Sequence, residues 1–463
     1  MVSFYVENFG CRATQADGAS IERQLADCGL SRADSVANAE IVVLNTCTVT
    51  SSADQDARAA IRRIHRANPS ARILVTGCYA QRAPQEISVL EGVSLVIGNS
   101  HKHRLAEIAA GDGFVSLASL SAPSVASSSI ASSGHSAPIV VEDIFAHTEM
   151  LAAPVFDSDN EKTRPNLKVQ DGCNNRCSYC VIPFVRGRSR SLPLNEVLSN
   201  VDRLVANGYQ EIVLSGINLG RWGRDLGREQ SVADTPGSAP RGRFVDLLRS
   251  ILDRTGVPLL RISSVEPMDW SDELIALVAT SPRIAKHAHI PLQSGSDRIL
   301  RLMHRRYRPW HYEDRVQRIH AAMPQAGIGA DVMVGFPGES EEDFEHTRAF
   351  IERLPFTYLH VFTYSSRPGT PSVEMPGQVP VQVARERNRA LRELASRKKR
   401  IFQEQFVGKS VLALTLTQFC NGRTEALTGN YQKLWLLGKV PSNRIITARI
   451  HSIDGEALVG EVE

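Results

Sequence analysis

Cysteine is scarce in this chain, with eight cysteines among 463 residues, and long apolar runs are missing. No stretch of about twenty apolar residues occurs, which excludes a conventional membrane-spanning helix. The longest uncharged run, from Gly113 to Val141, contains ten serines and indicates a linker or surface loop. The amino terminus has no basic region followed by an apolar core, so we expect no secretory signal. These absences predict a cytoplasmic protein without a membrane anchor.

The chain also lacks a strong excess of charge of either sign. Its formal net charge is +3, so any basic surface that binds nucleic acid must be local. One such segment exists, because residues Arg385 to Arg400 carry eight lysines or arginines against two glutamates. This segment predicts a basic helix, which is either an exposed charged face or a track for phosphates.

Short apolar runs alternate with helical patterns along most of the chain, which predicts an α/β fold. Residues 1–110 predict a Rossmann-like domain with a parallel sheet, and residues 111–160 a Ser/Ala-rich linker. Residues 161–384 predict six parallel strands in a partial (βα)6 barrel. Residues 385–404 predict the basic linker helix, and residues 405–463 a small β-barrel.

Three cysteines of the first predicted domain each follow a predicted strand. They are Cys11, Cys47 and Cys78 in the segments NFGC, LNTC and VTGC. Ligands gather at the carboxyl ends of the strands in an open parallel sheet, so we expect these thiols to converge. A single cysteine at such a place is more often a buried packing residue. Three at equivalent places favour a shared metal or cluster site with one open coordination position.

A second group of three cysteines has the spacing C-x3-C-x2-C, in the segment GCNNRCSYC. It consists of Cys173, Cys177 and Cys180, after the predicted strand NLKVQ. A structural zinc site needs a fourth ligand that the following residues do not offer, and a disulfide leaves one cysteine over. Three thiolates on a [4Fe–4S] cluster leave one iron open for a further ligand. The two remaining cysteines, Cys28 and Cys420, are expected to be packing residues.

The second spacing, with Tyr179 before the third cysteine, is that of the radical S-adenosylmethionine (SAM) enzymes. Together with the motifs NTCTVT, VTGCYAQ, RGRSRS, HIPLQSGSD and VGFPGE, it resembles the radical SAM methylthiotransferase family. The resemblance covers nearly the whole chain and implies a carboxyl-terminal RNA-binding module of the TRAM type. The segments NTCTVTSSADQDARAAIRR and TGCYAQRAPQEI most resemble the branch that acts on N6-threonylcarbamoyladenosine beside the tRNA anticodon.

The resemblance implies two [4Fe–4S] clusters and SAM as cofactors. The cluster on Cys173, Cys177 and Cys180 would bind SAM and cleave it by electron transfer, and the resulting radical would attack carbon 2 of the adenine. The auxiliary cluster, on Cys11, Cys47 and Cys78, would carry the sulfur that is inserted. A second SAM would supply the methyl group. The implied partners are tRNA and an electron-donor protein, and the sulfur source is left open.

Further site residues follow from the positions of the family motifs. The expected SAM-binding residues are Tyr179, Ser215, Gly216, Glu266, Gln293, Gly335 and Gly338. For each glycine the alternative is a plain turn between strand and helix. The expected substrate-binding residues are Arg186, Arg188 and Arg190, because guanidinium groups suit phosphates and carboxylates. A solvated loop is the alternative for these arginines.

Other functions remain open at this stage. Within the family the substrate is threonylcarbamoyladenosine, isopentenyladenosine or an aspartate of a ribosomal protein. Outside it, the chain is a non-catalytic iron–sulfur protein that binds RNA, or a zinc-binding regulator. Cleavage of SAM under reducing conditions and metal analysis distinguish these alternatives.

Overall fold

The structure of the chain is a computed structural model that describes residues 2–10, 12–110, 136–147, 150, 163–227 and 242–463. The chain forms two compact units. The first unit consists of Met1–Pro154 together with Val181–Arg188, and the second of Val155–Cys180 together with Ser189–Glu463. The division of the sequence into five parts proposed above stays a prediction.

The first unit is an alternation of strands and helices. Its strands are β1 (Ser3–Asn8), β2 (Ser31–Arg32), β3 (Ile41–Thr46), β4 (Arg72–Gly77), β5 (Val93–Ile97) and β6 (Ile139–Val140). Its helices are α1 (Arg12–Asp27), α2 (Ser51–Ala67), α3 (Cys78–Arg82), α4 (Pro84–Ser88), α5 (Leu105–Ala110) and α6 (Ile182–Arg186). A 3-10 turn, Asn99–Arg104, precedes α5.

These six strands form one parallel sheet in the order β2-β1-β3-β4-β5-β6. The central strand β3 is buried over all six of its residues, as its sequence IVVLNT predicts for a strand covered on both faces. The helix α2 begins after Thr50, whose side-chain hydroxyl accepts a hydrogen bond from the Ala53 amide at 3.2 Å. The parallel sheet expected for this domain is confirmed.

The second unit contains a longer series of strands and helices. Its first part has the strands β7 (Asn166–Asp171), β8 (Arg190–Ser191), β9 (Glu211–Gly216), β10 (Leu259–Ile262), β11 (His287–His289), β12 (Gly327–Val334) and β13 (Tyr358–Thr363). The helices are α7 (Leu194–Ala206), α8 (Phe244–Arg254), α9 (Asp272–Thr280), α10 (Asp297–Leu302), α11 (Pro309–Ala322), α12 (Glu341–Arg353) and α13 (Val381–Glu404).

Six of these strands run parallel in the order β7-β9-β10 and β11-β12-β13. Parallel bridges between Leu260 and Ile284 and between Ser264 and His289 join the two groups. The short β8 lies antiparallel on the outer edge of β7. Within the described residues no pairing joins β13 back to β7, so the six strands form the partial barrel that the sequence predicts.

The carboxyl-terminal strands close into a five-stranded barrel. They are β14 (Ser410–Cys420), β15 (Arg423–Thr428), β16 (Lys433–Leu437), β17 (Ile445–Asp454) and β18 (Ala457–Val462), in the order β14-β15-β16-β18-β17. The small β-barrel expected for residues 405–463 is confirmed, and in β15 buried and half-buried residues alternate. One expectation is wrong, because Cys28 and Cys420 are both exposed and are not packing residues.

Candidate functional site

Three cysteines lie in the loop after β7, and buried polar groups hold the base of that loop. Gln170 donates through Nε2 to the backbone oxygens of Asp171 and Gly172, each at 2.8 Å. Its Oε1 accepts a hydrogen bond from the Asn218 amide at 2.6 Å. Gly172 has a φ of +68°, a left-handed conformation that glycine adopts without steric cost. The loop from Cys173 to Cys180 therefore starts from a fixed point.

The sulfurs of Cys173 and Cys177 accept hydrogen bonds from neighbouring donors. Cys173 Sγ lies 3.6 Å from Asn218 Nδ2 and 3.4 Å from the Asn175 amide. Cys177 Sγ lies 3.4 Å from Arg305 Nη1. Burial raises the pKa of the Cys173 thiol, and its two hydrogen bonds act in the opposite direction. Such donors stabilise a thiolate, which is the form that binds a cluster.

The second half of the cysteine loop is packed against the body of the unit. The Ser178 hydroxyl donates to the Leu302 carbonyl at 2.7 Å. The Tyr179 ring is half-buried, with its edge toward Phe336 at 6.3 Å between ring centres. These two contacts fix the backbone directly before Cys180. The predicted contact of Tyr179 with a cofactor stays a prediction.

Sequence reasoning missed Arg305, although it lies in the conspicuous basic segment MHRRYR. Arg305 is 7% exposed, and its guanidinium binds the Glu266 carboxylate through Nη2 and lies 3.2 Å from the Tyr307 hydroxyl through Nε. These side chains line a small pocket beside Cys177. The structure therefore brings Glu266, expected at the cofactor, to the same pocket as a predicted cluster ligand.

Three buried polar atoms beside this site have no hydrogen-bond partner among the described residues. They are Ser215 Oγ, Asn218 Oδ1 and Gln293 Oε1. A buried polar atom without a partner costs free energy, so such atoms mark places where a ligand or water completes the site. SAM offers an amino group, a carboxylate, ribose hydroxyls and an adenine ring as partners. Ser215 and Gln293 were both predicted to bind it, and their chemistry fits.

Gly335 and Gly338, two of the predicted cofactor-binding glycines, differ in how closely other atoms pack against them. A Cβ atom at Gly335 would lie 2.6 Å from the Ala384 Cβ on α13, and its amide donates to Glu339 at 2.7 Å. The close approach of α13 is therefore sufficient to require a glycine at position 335. The Gly338 amide donates to the Gly377 carbonyl at 2.8 Å, and a Cβ there would meet only ordinary contacts. Their predicted contact with the adenine of SAM stays a prediction.

Gly216, the other predicted cofactor glycine, ends β9 next to Gln170. A Cβ atom there would lie 3.1 Å from Gln170 Cβ and 3.1 Å from its Oε1. Any larger residue at 216 would therefore press on the side chain that holds the base of the cysteine loop. This close packing gives Gly216 a second reason to be glycine besides the predicted contact with SAM.

The auxiliary group of cysteines lies at the carboxyl ends of β3 and β4. Thr46 and Gly77 are directly paired across these two strands, and Cys47 and Cys78 follow them. Both cysteines are buried, at 4% and 2% exposed. Cys11 lies outside the described residues, so its part in this group stays a prediction.

Two neighbours show how tightly the auxiliary cysteines are surrounded. A Cβ atom at Gly10 would lie 2.7 Å from Cys47 Sγ, so only glycine fits beside that sulfur. Asn99 Nδ2 lies 3.5 Å from Cys78 Sγ and donates to the Val185 carbonyl at 2.7 Å. The buried surroundings of Cys47 and Cys78 fit thiolates that share one cluster.

The three arginines after the cysteine loop lie in different environments. Arg186 is 2% exposed, and its Nη2 lies 3.0 Å from Asp17 Oδ2 within the first unit. Arg188 is exposed, and Arg190 is half-buried at the start of β8. The sequence assigned all three to substrate binding and did not foresee the pairing with Asp17. Substrate contact by the three arginines stays a prediction.

A polar cluster that the sequence did not predict spans β11, β12 and β13. Asp331 Oδ1 lies 3.3 Å from His289 Nε2 and 3.2 Å from His360 Nδ1, and His289 Nδ1 lies 2.6 Å from Ser264 Oγ. Burial raises the pKa of the Asp331 carboxyl, but the two imidazoles outweigh it and hold that pKa below its usual range. The ligand atoms lie within 4.8 Å of one another, as in a site of two histidines and one carboxylate.

The basic helix α13 has an exposed arginine stripe, formed by Arg385, Arg389 and Arg392. These residues line an open groove and have no carboxylate partner in the described part of the chain. Arg387 differs, because it is buried and binds Glu339 at 2.8 Å. The helix therefore combines one structural arginine with a stripe of cations that face solvent.

Two protein families match this chain. Residues 3–98 match an uncharacterized protein family, UPF0004, and residues 167–351 match the Radical SAM superfamily. The first match runs from β1 to the end of β5 and includes Cys47 and Cys78, and the second begins in β7. Within the described residues no helix is long and apolar enough to cross a membrane.

Several curated relatives match over nearly the whole length. A threonylcarbamoyladenosine tRNA methylthiotransferase from Aquifex aeolicus is 36% identical over 92% of this chain and 94% of its own length. The enzyme of that name from Bacillus subtilis is 33% identical over 97% of this chain and 94% of its length. A tRNA-2-methylthio-N6-dimethylallyladenosine synthase from Aquifex aeolicus is 30% identical over 98% of each chain.

The fold is also similar to solved structures. The radical SAM methyltransferase TsrM from Kitasatospora setae, solved with tryptophan and a SAM analogue, superposes with a TM-score of 0.57. The similarity covers 80% of this chain and 75% of that one at 16% identity. At this identity the similarity shows a shared fold.

Proposed function

Because this chain belongs to the methylthiotransferase family of radical SAM enzymes, we propose that it inserts a methylthio group at C2 of N6-threonylcarbamoyladenosine beside the tRNA anticodon. The observation that carries this proposal is the 36% identity, over 92% of the chain, with a relative that is named for this substrate. The two groups of cysteines would supply the sites that such an enzyme needs. We propose a cytoplasmic location and an electron-donor protein as a partner.

The two groups of cysteines would hold the two clusters, and polar residues of the second unit would hold SAM. Cys173, Cys177 and Cys180 would ligate one [4Fe–4S] cluster, and Cys11, Cys47 and Cys78 the other. When bound, the first cluster and SAM supply the one-electron chemistry that activates a C–H bond. Ser215 and Gln293 would satisfy their buried oxygens on SAM, with Gly216 and Glu266 beside them. The chain's own task is to position these groups and to exclude water.

Recognition of tRNA is proposed for the arginine stripe of α13. Phosphate contacts by Arg or Lys release counterions, so they make binding dependent on salt. We expect the double variant Arg389→Ala/Arg392→Ala to bind tRNA more weakly and to lower the slope of log K against log salt by about 2. Filter binding at several salt concentrations measures this slope.

The double variant Arg203→Ala/Arg254→Ala removes the same charge from exposed positions on α7 and α8 and serves as control. An equal loss in both double variants contradicts the assignment.

The proposed reaction is tested by mass spectrometry of nucleosides from bulk tRNA, with and without this gene. We expect the methylthio form of threonylcarbamoyladenosine to disappear in the deletion strain and the unmodified form to accumulate. The intact gene restores it, whereas a Cys47→Ala copy does not. If methylthio-isopentenyladenosine is lost instead, the proposed substrate is wrong. That result would favour the activity for which the dimethylallyladenosine synthase from Aquifex aeolicus is named. If no nucleoside changes, a protein substrate or a non-catalytic role replaces the proposal.

A further inference from the structure

Three polar side chains on adjacent strands of the second unit lie on one face of the parallel sheet. His360 on β13 pairs directly with Asp331 on β12. On the other side of β12, His289 pairs with Gly329, two residues before Asp331. Positions two apart on a strand share a face, so the three side chains meet diagonally across β11, β12 and β13. Asp331 Oδ1 lies 3.3 Å from His289 Nε2 and 3.2 Å from His360 Nδ1.

The surroundings of His289 leave one of its ring nitrogens without a hydrogen bond. The residue is 6% exposed, and its Nδ1 lies 2.6 Å from Ser264 Oγ. Its Nε2 has no hydrogen-bond partner in the part of the chain that the structure describes, because the nearby Asp331 oxygen is not in hydrogen-bonding geometry. A buried nitrogen of this kind costs free energy unless a ligand from outside the protein completes it.

The distances around Asp331 fit a metal ion shared by the three side chains. Zinc binds imidazole nitrogen and carboxylate oxygen at about 2.0–2.1 Å, so two such ligands at the tetrahedral angle lie about 3.3–3.4 Å apart. The nitrogen-to-oxygen distances of 3.3 and 3.2 Å are close to this value. An ion bound by His289 and Asp331 would lie beside the line that joins their two atoms. This position explains how the atoms can be near each other without a hydrogen bond.

We propose that His289, Asp331 and His360 bind one divalent transition-metal ion of the zinc type. Two imidazoles and one carboxylate are a common donor set for such ions. Ser264 would hold the outer nitrogen of His289 and so orient the ring toward the metal. Three protein ligands leave one tetrahedral position open for water or for an oxygen of a bound molecule. The site contains no cysteine, so it does not depend on the proposed function.

The candidate metal site shares its face of the sheet with an apolar cluster beside the cysteine loop. Met333 and Phe362 follow Asp331 and His360 by two residues, and both belong to this cluster. Tyr179 of the cysteine loop packs against the same cluster. The ion would therefore be bound on the side of the sheet where SAM is predicted to bind, and its open position would be available to a molecule that enters there.

Zinc binding by the holoenzyme tests the site. Both clusters are reconstituted first, and the full chain is then dialysed anaerobically against a buffer that fixes the free zinc concentration. Zinc bound per chain is measured by inductively coupled plasma mass spectrometry. We expect Asp331→Asn and His360→Ala each to bind one zinc ion per chain fewer than the parent. Any zinc held by cysteines is common to the parent and the variants and cancels in this comparison.

Two further variants make the result specific. His346→Ala removes an exposed histidine on α12 and is the matched control for His360→Ala, which also alters an exposed side chain. It should bind as much zinc as the parent. Ser264→Ala should keep the ion but raise its Kd about 10–100-fold, as measured by competition with a chelator.

The opposite results would overturn the metal site. If Asp331→Asn and His360→Ala bind as much zinc as the parent, the three side chains form only a polar network within the protein. If His346→Ala loses as much zinc as His360→Ala, the ion binds adventitiously to surface histidines. Should Asp331→Asn not fold, His360→Ala decides alone, because the exposed His360 can be replaced without disturbing the packing of the sheet.

Discussion

Replacing Cys177 with alanine is expected to abolish the reductive cleavage of SAM. Two thiolates cannot hold a [4Fe–4S] cluster as three do, and the loss also removes the acceptor of the Arg305 hydrogen bond at 3.4 Å. The protein should then release no 5′-deoxyadenosine above background when it is incubated anaerobically with dithionite and SAM. Chromatography of the products measures this directly.

A comparison with Cys47→Ala makes this result specific. Cys47 belongs to the first unit, and its loss leaves every described contact of the Cys173–Cys180 loop in place. We therefore expect Cys47→Ala to cleave SAM but to form no methylthio product. Cys28→Ala and Cys420→Ala, which alter exposed cysteines outside both groups, should behave as the parent. Equal release of 5′-deoxyadenosine by Cys177→Ala and the parent would refute the assignment of the two sites.

The largest loss of stability is expected from Arg261→Met, in the second unit. Arg261 and Glu211 are both fully buried on neighbouring strands, and they form two hydrogen bonds of 2.7 and 3.0 Å. Arg261 also donates to the carbonyls of Thr428 and Gly429, each at 3.1 Å, and so attaches the carboxyl-terminal β-barrel to the parallel strands. Arg261→Met leaves Glu211 with Arg164 as its remaining cation at 2.7 Å. The expected cost is therefore about 3 kcal/mol in the free energy of unfolding, the lower end of the range for removing one partner of a buried ion pair.

Tryptophan fluorescence is suited to this measurement because all four tryptophans lie in the second unit. Urea denaturation followed by fluorescence therefore reports the unfolding of that unit. Arg243→Met is the control, since its exposed pair with Asp246 should contribute at most about 1 kcal/mol. If Arg261→Met and Arg243→Met lose similar amounts of unfolding free energy, the buried pair does not contribute the stability expected of it.

The stability that is lost in Arg261→Met should also depend on pH. Burial raises the pKa of Glu211, but the charges and hydrogen bonds of Arg261 and Arg164 outweigh it and lower that pKa in the folded protein. A group with a lowered folded pKa contributes stability above its unfolded pKa, and this contribution is lost as the pH falls. The difference in unfolding free energy between the parent and Arg261→Met should therefore shrink below about pH 4.

The sequence allowed good prediction of the features that depend on local pattern. Cys47 and Cys78 were expected at strand ends because apolar runs precede them, and the structure places them there. Ser215 and Gln293 keep buried side-chain oxygens without a hydrogen-bond partner among the described residues, and their contact with SAM stays a prediction. Such features follow from short segments, in which strand periodicity and turn residues determine the local conformation.

Features that depend on distant side chains were not predictable in this way. Arg186 was assigned to substrate because it lies in a basic run, yet its guanidinium reaches Asp17, which is 169 residues away in the chain. The cluster of His289, Asp331 and His360 combines three strands, and no single segment shows it. In each case the partner is chosen by tertiary packing, which the spacing of residues within one segment does not encode.

The path of the chain through the two units limits how the protein can be divided. Val181–Arg188 belongs to the first unit, although the residues on both sides of it belong to the second. Within this segment Val181 and Val185 pack against Cys78, and Arg186 pairs with Asp17. A fragment cut before residue 181 would lack all of these contacts. Recombination at a single point therefore cannot exchange either unit intact.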